Sequence, residues 1–301
     1  MHPGKTRARI AIVGLFLTVL FLGDRLMARA VDAVFMRTKF RYPMLYAGEL
    51  PADIVFLGNS RALHMFHCPA VRETTGLRAA NIGFNGLPTI AMAPLWHDYL
   101  EHHAPPALLV LEVSCVGRED EDGALERFTT CMRHSDEIAS QIARRNRLVY
   151  SASQLSHLYR YNSELTWRSL FFLRNSDQDW IMEGQVDRSE AEELTDADVP
   201  SLLRSADNVA AFQRIIDGAA AHGVEVRLVH APYLTEYRRH LHDAPTWTNW
   251  LQSELEHPIL DYTDAIVDPT SFADPIHLNA GGARQLAIRM ARDGVLPSQD
   301  D

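Results

Sequence analysis

Three polar residues, two within one turn near the C-terminal end and one far upstream, have the types and local settings that acyl-transfer chemistry needs. The run Asp274-Pro275-Ile276-His277-Leu278-Asn279 puts a carboxylate one short turn ahead of an imidazole. Pro275 keeps this stretch out of a regular helix. It therefore reads as a turn before the last helix, in which Asp274 accepts the Nδ1 proton of His277 and Nε2 is left to take a proton from a hydroxyl. Ser60 offers that hydroxyl: it follows the apolar run Asp53 to Gly58, where a strand turns into a helix and a side chain projects from the end of a sheet. A surface turn and a helix-capping serine are the plain alternatives to these two readings. Gly281 and Gly282 favour the functional one, because small residues in the first turn let that helix approach a neighbouring strand closely.

The elements that must position these residues are legible as short apolar runs alternating with helical stretches. DIVFLG (53–58), AANIG (79–83), ALLVLEV (107–113), VEVRLVHAP (224–232) and PILDYTDAI (258–266) read as buried strands. Between them, helices are expected to about Arg78, from Leu87 to His103, over 201–222 ahead of Gly223, and from Thr235 to Glu256, with a last one capped by Asn279. Such alternation predicts an α/β fold with right-handed crossovers, a parallel sheet and helices on both faces. Ligands then sit beyond the carboxyl ends of the strands, which directs attention to Gly58-Asn59-Ser60, Gly83-Phe84-Asn85-Gly86, the segment after Val113, and His230. A stretch from about 117 to 200, with acidic clusters, exceeds a simple crossover and is expected to be a helical insertion over or beside the site. Its aromatics Tyr159, Tyr161, Trp167 and Trp180 read as local core, or alternatively as a sugar-stacking wall.

At these positions the sequence resembles the SGNH, or GDSL-like, serine hydrolases. DIVFLGNSRA stands where the family has Gly-Asp-Ser, NIGFNG where it has its glycine block, and DPIHL where it has Asp-x-x-His, in the family's order. The resemblance implies a three-layer α/β/α sandwich on a five-stranded, flavodoxin-like parallel sheet. It implies Ser60 as nucleophile, His277 as base, Asp274 as the orienting carboxylate, and the Ser60 and Gly83 N–H groups as oxyanion donors. The family's Gly-x-Asn-Asp block is missing, with Val116 where its asparagine would fall. Losing such a donor typically costs about 3 kcal/mol, and Asn85 is the candidate replacement. Asn59, in place of the usual aspartate, is expected to stabilise the turn.

Other candidates are weaker. His64, His67 and Cys68 are close enough in sequence to suggest zinc, but no second ligand cluster accompanies them, so no metal and no cofactor is expected. Arg61 reads as a solvated charge, or alternatively as a clamp for an anionic substrate group. His230 could line the pocket or sit hydrogen-bonded in the core, and Glu112, inside an apolar strand, must be paired.

The N-terminus sets the compartment. Lys5, Arg7 and Arg9 precede an uncharged run from Ile10 to Gly23, which favours an N-terminus held in the cytoplasm. At ~1.5 Å per residue the run spans about 21 Å, short of a hydrocarbon core of about 30 Å. Cleavage after Ala30 is one reading; an uncleaved anchor is the favoured one, because Asp24, Arg25 and Arg29 suit a peptidase poorly and the helical pattern continues through LMARAVDAVFM. Either way the remainder is exported. The expected organisation is a basic stub and anchor over 1–36, a linker over 37–52, and a hydrolase-like domain over 53–297.

With 29 basic against 39 acidic side chains and a formal charge of -10, the chain lacks the positive surface that phosphate-backbone binding needs, so nucleic acid is not an expected partner. Of its 3 cysteines, Cys115 and Cys131 are the more plausible pair, with free thiols an equal alternative. Tethered members of the resembled family suggest an esterase or O-acyltransferase in the periplasm. It would act on acyl esters of cell-envelope polysaccharide through an acyl-serine. The rival reading is a degenerate relative that binds glycan or scaffolds a membrane-bound acyltransferase.

Overall fold

The computed structural model describes residues 3–175 and 181–298, so Trp180 lies outside the described residues. Its contacts divide the chain into two compact units: Met1–Pro43 with Leu125–Ser176, and Met44–Ala124 with Asp177–Asp301.

The larger unit carries a five-stranded, all-parallel sheet among helices. Its strands are β1 (Ile54–Leu57), β2 (Ala79–Asn81), β3 (Leu108–Glu112), β4 (Glu225–His230) and β5 (Ile259–Asp261), in the order β2-β1-β3-β4-β5. β1 and β3 are buried along their whole length, as strands covered on both faces must be. The order reverses between β1 and β3, the crevice where doubly wound sheets of this order hold their ligands. On one side the helix Thr89–His102 packs against Ala206–Ala221; on the other Cys68–Thr75 packs against Ala280–Arg292. Two stretches expected as single helices are each broken. The first divides into Ser60–Met65 and Cys68–Thr75, the second into Thr235–His240 and Ala244–Leu255. In both, a proline opens the second piece, at Pro69 and Pro245, where its missing N–H and fixed φ suit a first turn and not an interior. A short antiparallel hairpin, β6 (Phe272–Asp274) and β7 (His277–Leu278), was not anticipated; it frames the turn that carries Asp274 and His277.

In the smaller unit the helix Pro3–Phe35 is continuous, and among the described residues it is the one helix long and apolar enough to cross a membrane. Its two carboxylates face partners from the inserted segment. Asp24 accepts from Ser156 Oγ and from the His157 and Leu158 N–H groups (2.8 and 3.2 Å). Asp32 accepts from Tyr161 Oη (2.9 Å) and pairs with His134 and Arg133 (both 2.8 Å). Tyr161 is local core here, whereas Trp167 is exposed. The segment is helical at Asp136–Arg145, Arg147–Leu155 and Glu164–Phe171. Cys131 and Cys115 are both buried and joined in no disulfide, so the pairing considered above is absent.

The glycines before the last helix differ. A Cβ on Gly282 would collide with the Ser271 carbonyl and lie 2.9 Å from Leu278 Cδ2, while one on Gly281 would meet only Asn279 Oδ1 at 3.4 Å. Gly282→Ala should therefore cost about 1–3 kcal/mol of stability through overpacking. Gly281→Ala should be neutral or stabilising by up to about 1 kcal/mol. Urea midpoints of the two variants check this.

Candidate active site

The turn after β1 is held by its own side chains. Asn59 caps the following helix, its Oδ1 accepting the Arg61 N–H at 2.9 Å, which is the turn-stabilising role expected of it. Gly58 cannot carry a side chain, because a Cβ would lie 2.7 Å from Ala62 Cβ and 3.0 Å from Glu112 Cβ. Ser60 is thereby placed at the first helical position, where its N–H has no intrahelical acceptor.

The β6–β7 turn presents the other two residues. Asp274 Oδ1 accepts the backbone N–H groups of Ile276 and His277 (both 2.9 Å), which closes the turn. Its Oδ2 lies 2.8 Å from His277 Nδ1, and His277 Nε2 lies 2.9 Å from Ser60 Oγ. A carboxylate at Nδ1 requires the proton there, so Nε2 faces the serine as an acceptor. Burial by itself would raise the Asp274 pKa. The His277 hydrogen bond and charge and the two amides outweigh it, and the carboxyl lies below its ordinary 3.8. The three side chains expected to meet are thus in contact, although Ser60 and His277 are 217 positions apart.

Arg61 occupies neither of the settings expected of it. It is buried, with its guanidinium 3.7 Å above the Tyr233 ring. It donates to Ile276 O (2.8 Å), Ala231 O (2.6 Å) and Pro232 O (2.9 Å), and pairs at 3.4 Å with Glu112. Glu112, fully buried, also accepts from Ser114 N (3.2 Å) and Ser114 Oγ (2.7 Å), the paired state that its position in a strand demanded. His230 belongs to the core, between Thr248 Oγ1 (3.3 Å) and Tyr233 Oη (3.2 Å). Burial, with Arg61 adding to it, pushes its pKa down to about 3, so it stays neutral.

The two further oxyanion candidates have other engagements. The Gly83 N–H donates to Asn81 Oδ1 at 3.0 Å, while Asn81 Nδ2 reaches Ala62 O (2.8 Å) and Phe66 O (3.1 Å). Gly83 is small because a Cβ would sit 2.9 Å from Gly58 O. Asn85 Oδ1 is 2.9 Å from His64 Nε2, and the His64 ring stands edge-on to His277 at 5.1 Å. His64 escaped notice as a neighbour of the site, although its spacing of one helical turn from Ser60 was the available signal.

Ser60 opens on a cleft of about 350 Å³ whose walls include Asn59, Leu87, Ser114 and Tyr233 from the segments that follow four strands, with Pro200 and Ile276 beside them. Tyr233 and Tyr237 are its aromatic walls, and Glu119, Asp120 and Glu121 give it an acidic lip. After β3, where the asparagine block is missing, Val116 is fully buried, and Ser114, Cys115 and Arg118 line the cleft instead. Burial pushes the Cys115 thiol well above its ordinary pKa, which rules it out as a thiolate nucleophile. His64, His67 and Cys68 form no group of converging ligand atoms among the described residues. Asp196, His240 and His242 do, within 4.8 Å of one another, and none of them lines the cleft.

Removing Arg61 leaves Glu112 buried without its cation, so Arg61→Ala should cost about 3–5 kcal/mol in a denaturant titration. Asp274 has a depressed pKa, so its contribution to stability is complete above the ordinary 3.8 and disappears as pH falls through the lower folded value. The stability gap between the native protein and Asp274→Asn should therefore be widest at neutral pH and shrink as pH falls below the ordinary 3.8. Thermal melts from neutral to acid pH measure it.

No family model and no curated protein matches the sequence. Among the solved structures it does match is a protein from Bacteroides fragilis provisionally described as an acylhydrolase. The identity is 13%, over 82% of this chain and 88% of that one, with a TM-score of 0.37, a likeness too low to carry an argument about activity.

Proposed function

We propose that the protein is a membrane-tethered serine esterase or O-acyltransferase that acts on small acyl esters of a cell-envelope glycan. The observation that carries this reading is the line Asp274 Oδ2, His277, Ser60 Oγ, with contacts of 2.8 and 2.9 Å, at the carboxyl edge of a parallel sheet and open to a cleft. Ser60 Oγ attacks the acyl carbonyl while His277 Nε2 takes its proton; the Asp274 carboxylate stabilises the imidazolium that results. Collapse of the tetrahedral intermediate expels the alcohol, which receives the proton from His277. Water or a sugar hydroxyl then attacks the acyl-serine with the same base. A cleft of about 350 Å³ suits a short acyl group and part of a sugar ring.

Among the oxyanion donors the Ser60 N–H belongs to a residue that lines the cleft and stands at a first helical position, where no intrahelical acceptor competes for it. The Gly83 N–H would have to exchange its existing acceptor, Asn81 Oδ1, whereas the His64 contact of Asn85 engages the amide oxygen and not the Nδ2 group that would donate. The Gly83 engagement, with the missing asparagine block, favours a second reading: a catalytically idle relative that binds glycan or scaffolds a membrane-bound acyltransferase. Transport to the far side of the membrane, with helix Pro3–Phe35 as an uncleaved anchor and Lys5, Arg7 and Arg9 inside, is part of the first proposal and compatible with the second.

A fluorophosphonate probe separates the two. The enzyme reading expects stoichiometric labelling that Ser60→Ala abolishes and that His277→Ala slows by about three orders of magnitude. Absence of Ser60-dependent labelling in a folded sample overturns the enzyme reading.

A further inference from the structure

The unit formed by the anchor helix and the segment Leu125–Ser176 exposes apolar side chains at helical spacing. On helix Arg147–Leu155, Leu148 and Leu155 are each 80% exposed and two turns apart, hence on one face. On helix Glu164–Phe171, Trp167 (65% exposed) and Phe171 (69%) are one turn apart. Isolated exposed leucines are ordinary on a protein surface, but paired apolar faces on neighbouring short helices are not.

A hydrogen bond fixes the depth of Leu155 along the anchor, and Trp167 lies further along, sharing a groove with Ala30, Val31 and Val34. Arg25 Nη1 donates to Leu155 O at 3.0 Å while its guanidinium lies 3.7 Å over the Phe21 ring. Leu155 is therefore level with the point where the uncharged run Ile10 to Gly23 stops. Beyond that level an apolar groove of about 410 Å³ runs between the two parts of the unit, lined by Ala30, Val31, Val34, Leu158, Trp167 and Leu170. On the anchor itself Leu26 and Met27 remain exposed past the charges. Arginines at Arg144, Arg145, Arg147 and Arg174 stand beside the same helices, long enough to reach lipid phosphates while their stems stay among apolar groups.

We propose that this unit is a membrane seat: the Leu148/Leu155 and Trp167/Phe171 faces and the groove between helix Glu164–Phe171 and the anchor rest in the outer leaflet and take lipid acyl chains. The proposal builds on the reading that Pro3–Phe35 spans the bilayer. The helix is long enough to span, but its uncharged run covers only about 21 Å of a hydrocarbon core of about 30 Å, so the turns that follow enter the leaflet with their charged residues. The inserted side chains supply the apolar surface at the level where the anchor's own run ends. Trp167 has the ring type that favours the interface.

The test is spin-label accessibility in the full-length chain, reconstituted into vesicles of phosphatidylethanolamine and phosphatidylglycerol. A nitroxide is placed in turn through Phe16→Cys, Leu155→Cys, Trp167→Cys, Phe171→Cys and, as a water reference, Glu254→Cys, all in a Cys68→Ser background. The seat predicts oxygen accessibility several-fold above that of a water-soluble nickel complex at Leu155, Trp167 and Phe171, as at Phe16, with the reverse at Glu254. If Phe16 is in lipid but the other three favour the nickel complex, the seat is overturned while the anchor stands, and the faces are left for a protein partner. If Phe16 is in water too, the anchor reading fails, and the seat with it.

Discussion

The site depends on one side chain fork. Arg61 follows the candidate nucleophile directly, yet its guanidinium is spent on three carbonyls and a carboxylate that belong to other elements: Ala231 and Pro232 after β4, Ile276 in the β6–β7 turn, and Glu112 at the end of β3. Ile276 is the residue before His277. A single planar cation thus ties the turn that carries Ser60 to the turn that carries the imidazole, and sets their spacing at 2.9 Å. Such a fork has five N–H donors in fixed directions, which a lysine could not reproduce. Its burial is tolerable because Glu112 balances the charge and Tyr233 covers one face.

Around that fork, close backbone approach does the rest. Gly58, Gly83 and Gly282 each sit where a Cβ would meet another element at or inside van der Waals contact, so the three loops that build the site are pressed together at positions without side chains. Two asparagines then hold loops in place: Asn81 on the carbonyls of the helix after Ser60, and Asn279 on Thr270 O and Gly184 O while its Oδ1 caps the last helix. The result is a rigid constellation at the edge of a sheet, which is what preorganised acyl transfer requires.

How much of this could be read from the sequence follows from which interactions are local. All five strands were legible as short apolar runs, because a strand buried on both faces has no other way to look. Asp274 and His277 were legible because three residues and a proline define their turn. The hairpin that frames it was missed, since strands of two or three residues leave almost no pattern. Arg61 was misread for a related reason: a charge beside a candidate nucleophile looks solvated until carbonyls some 170 and 215 positions away converge on it. The bond from Gly83 N–H to Asn81 and the contact of Asn85 Oδ1 with His64 are likewise matters of side-chain geometry that no local pattern announces. Asp24 and Asp32 are the points at which Leu125–Ser176 grips the anchor helix, a role that depends on partners more than 100 positions away.

The central claim is that Ser60 carries an acyl group during turnover. Mixing the protein with an activated acetyl ester, quenching in acid at short times and mapping the digest by mass spectrometry tests it directly. The account predicts a single acetyl group on the Ser60 hydroxyl that appears before steady state and accumulates when His277 is intact. Turnover of the ester with no acetyl on Ser60 at any time, or acetylation that persists at another residue in Ser60→Ala, would contradict it.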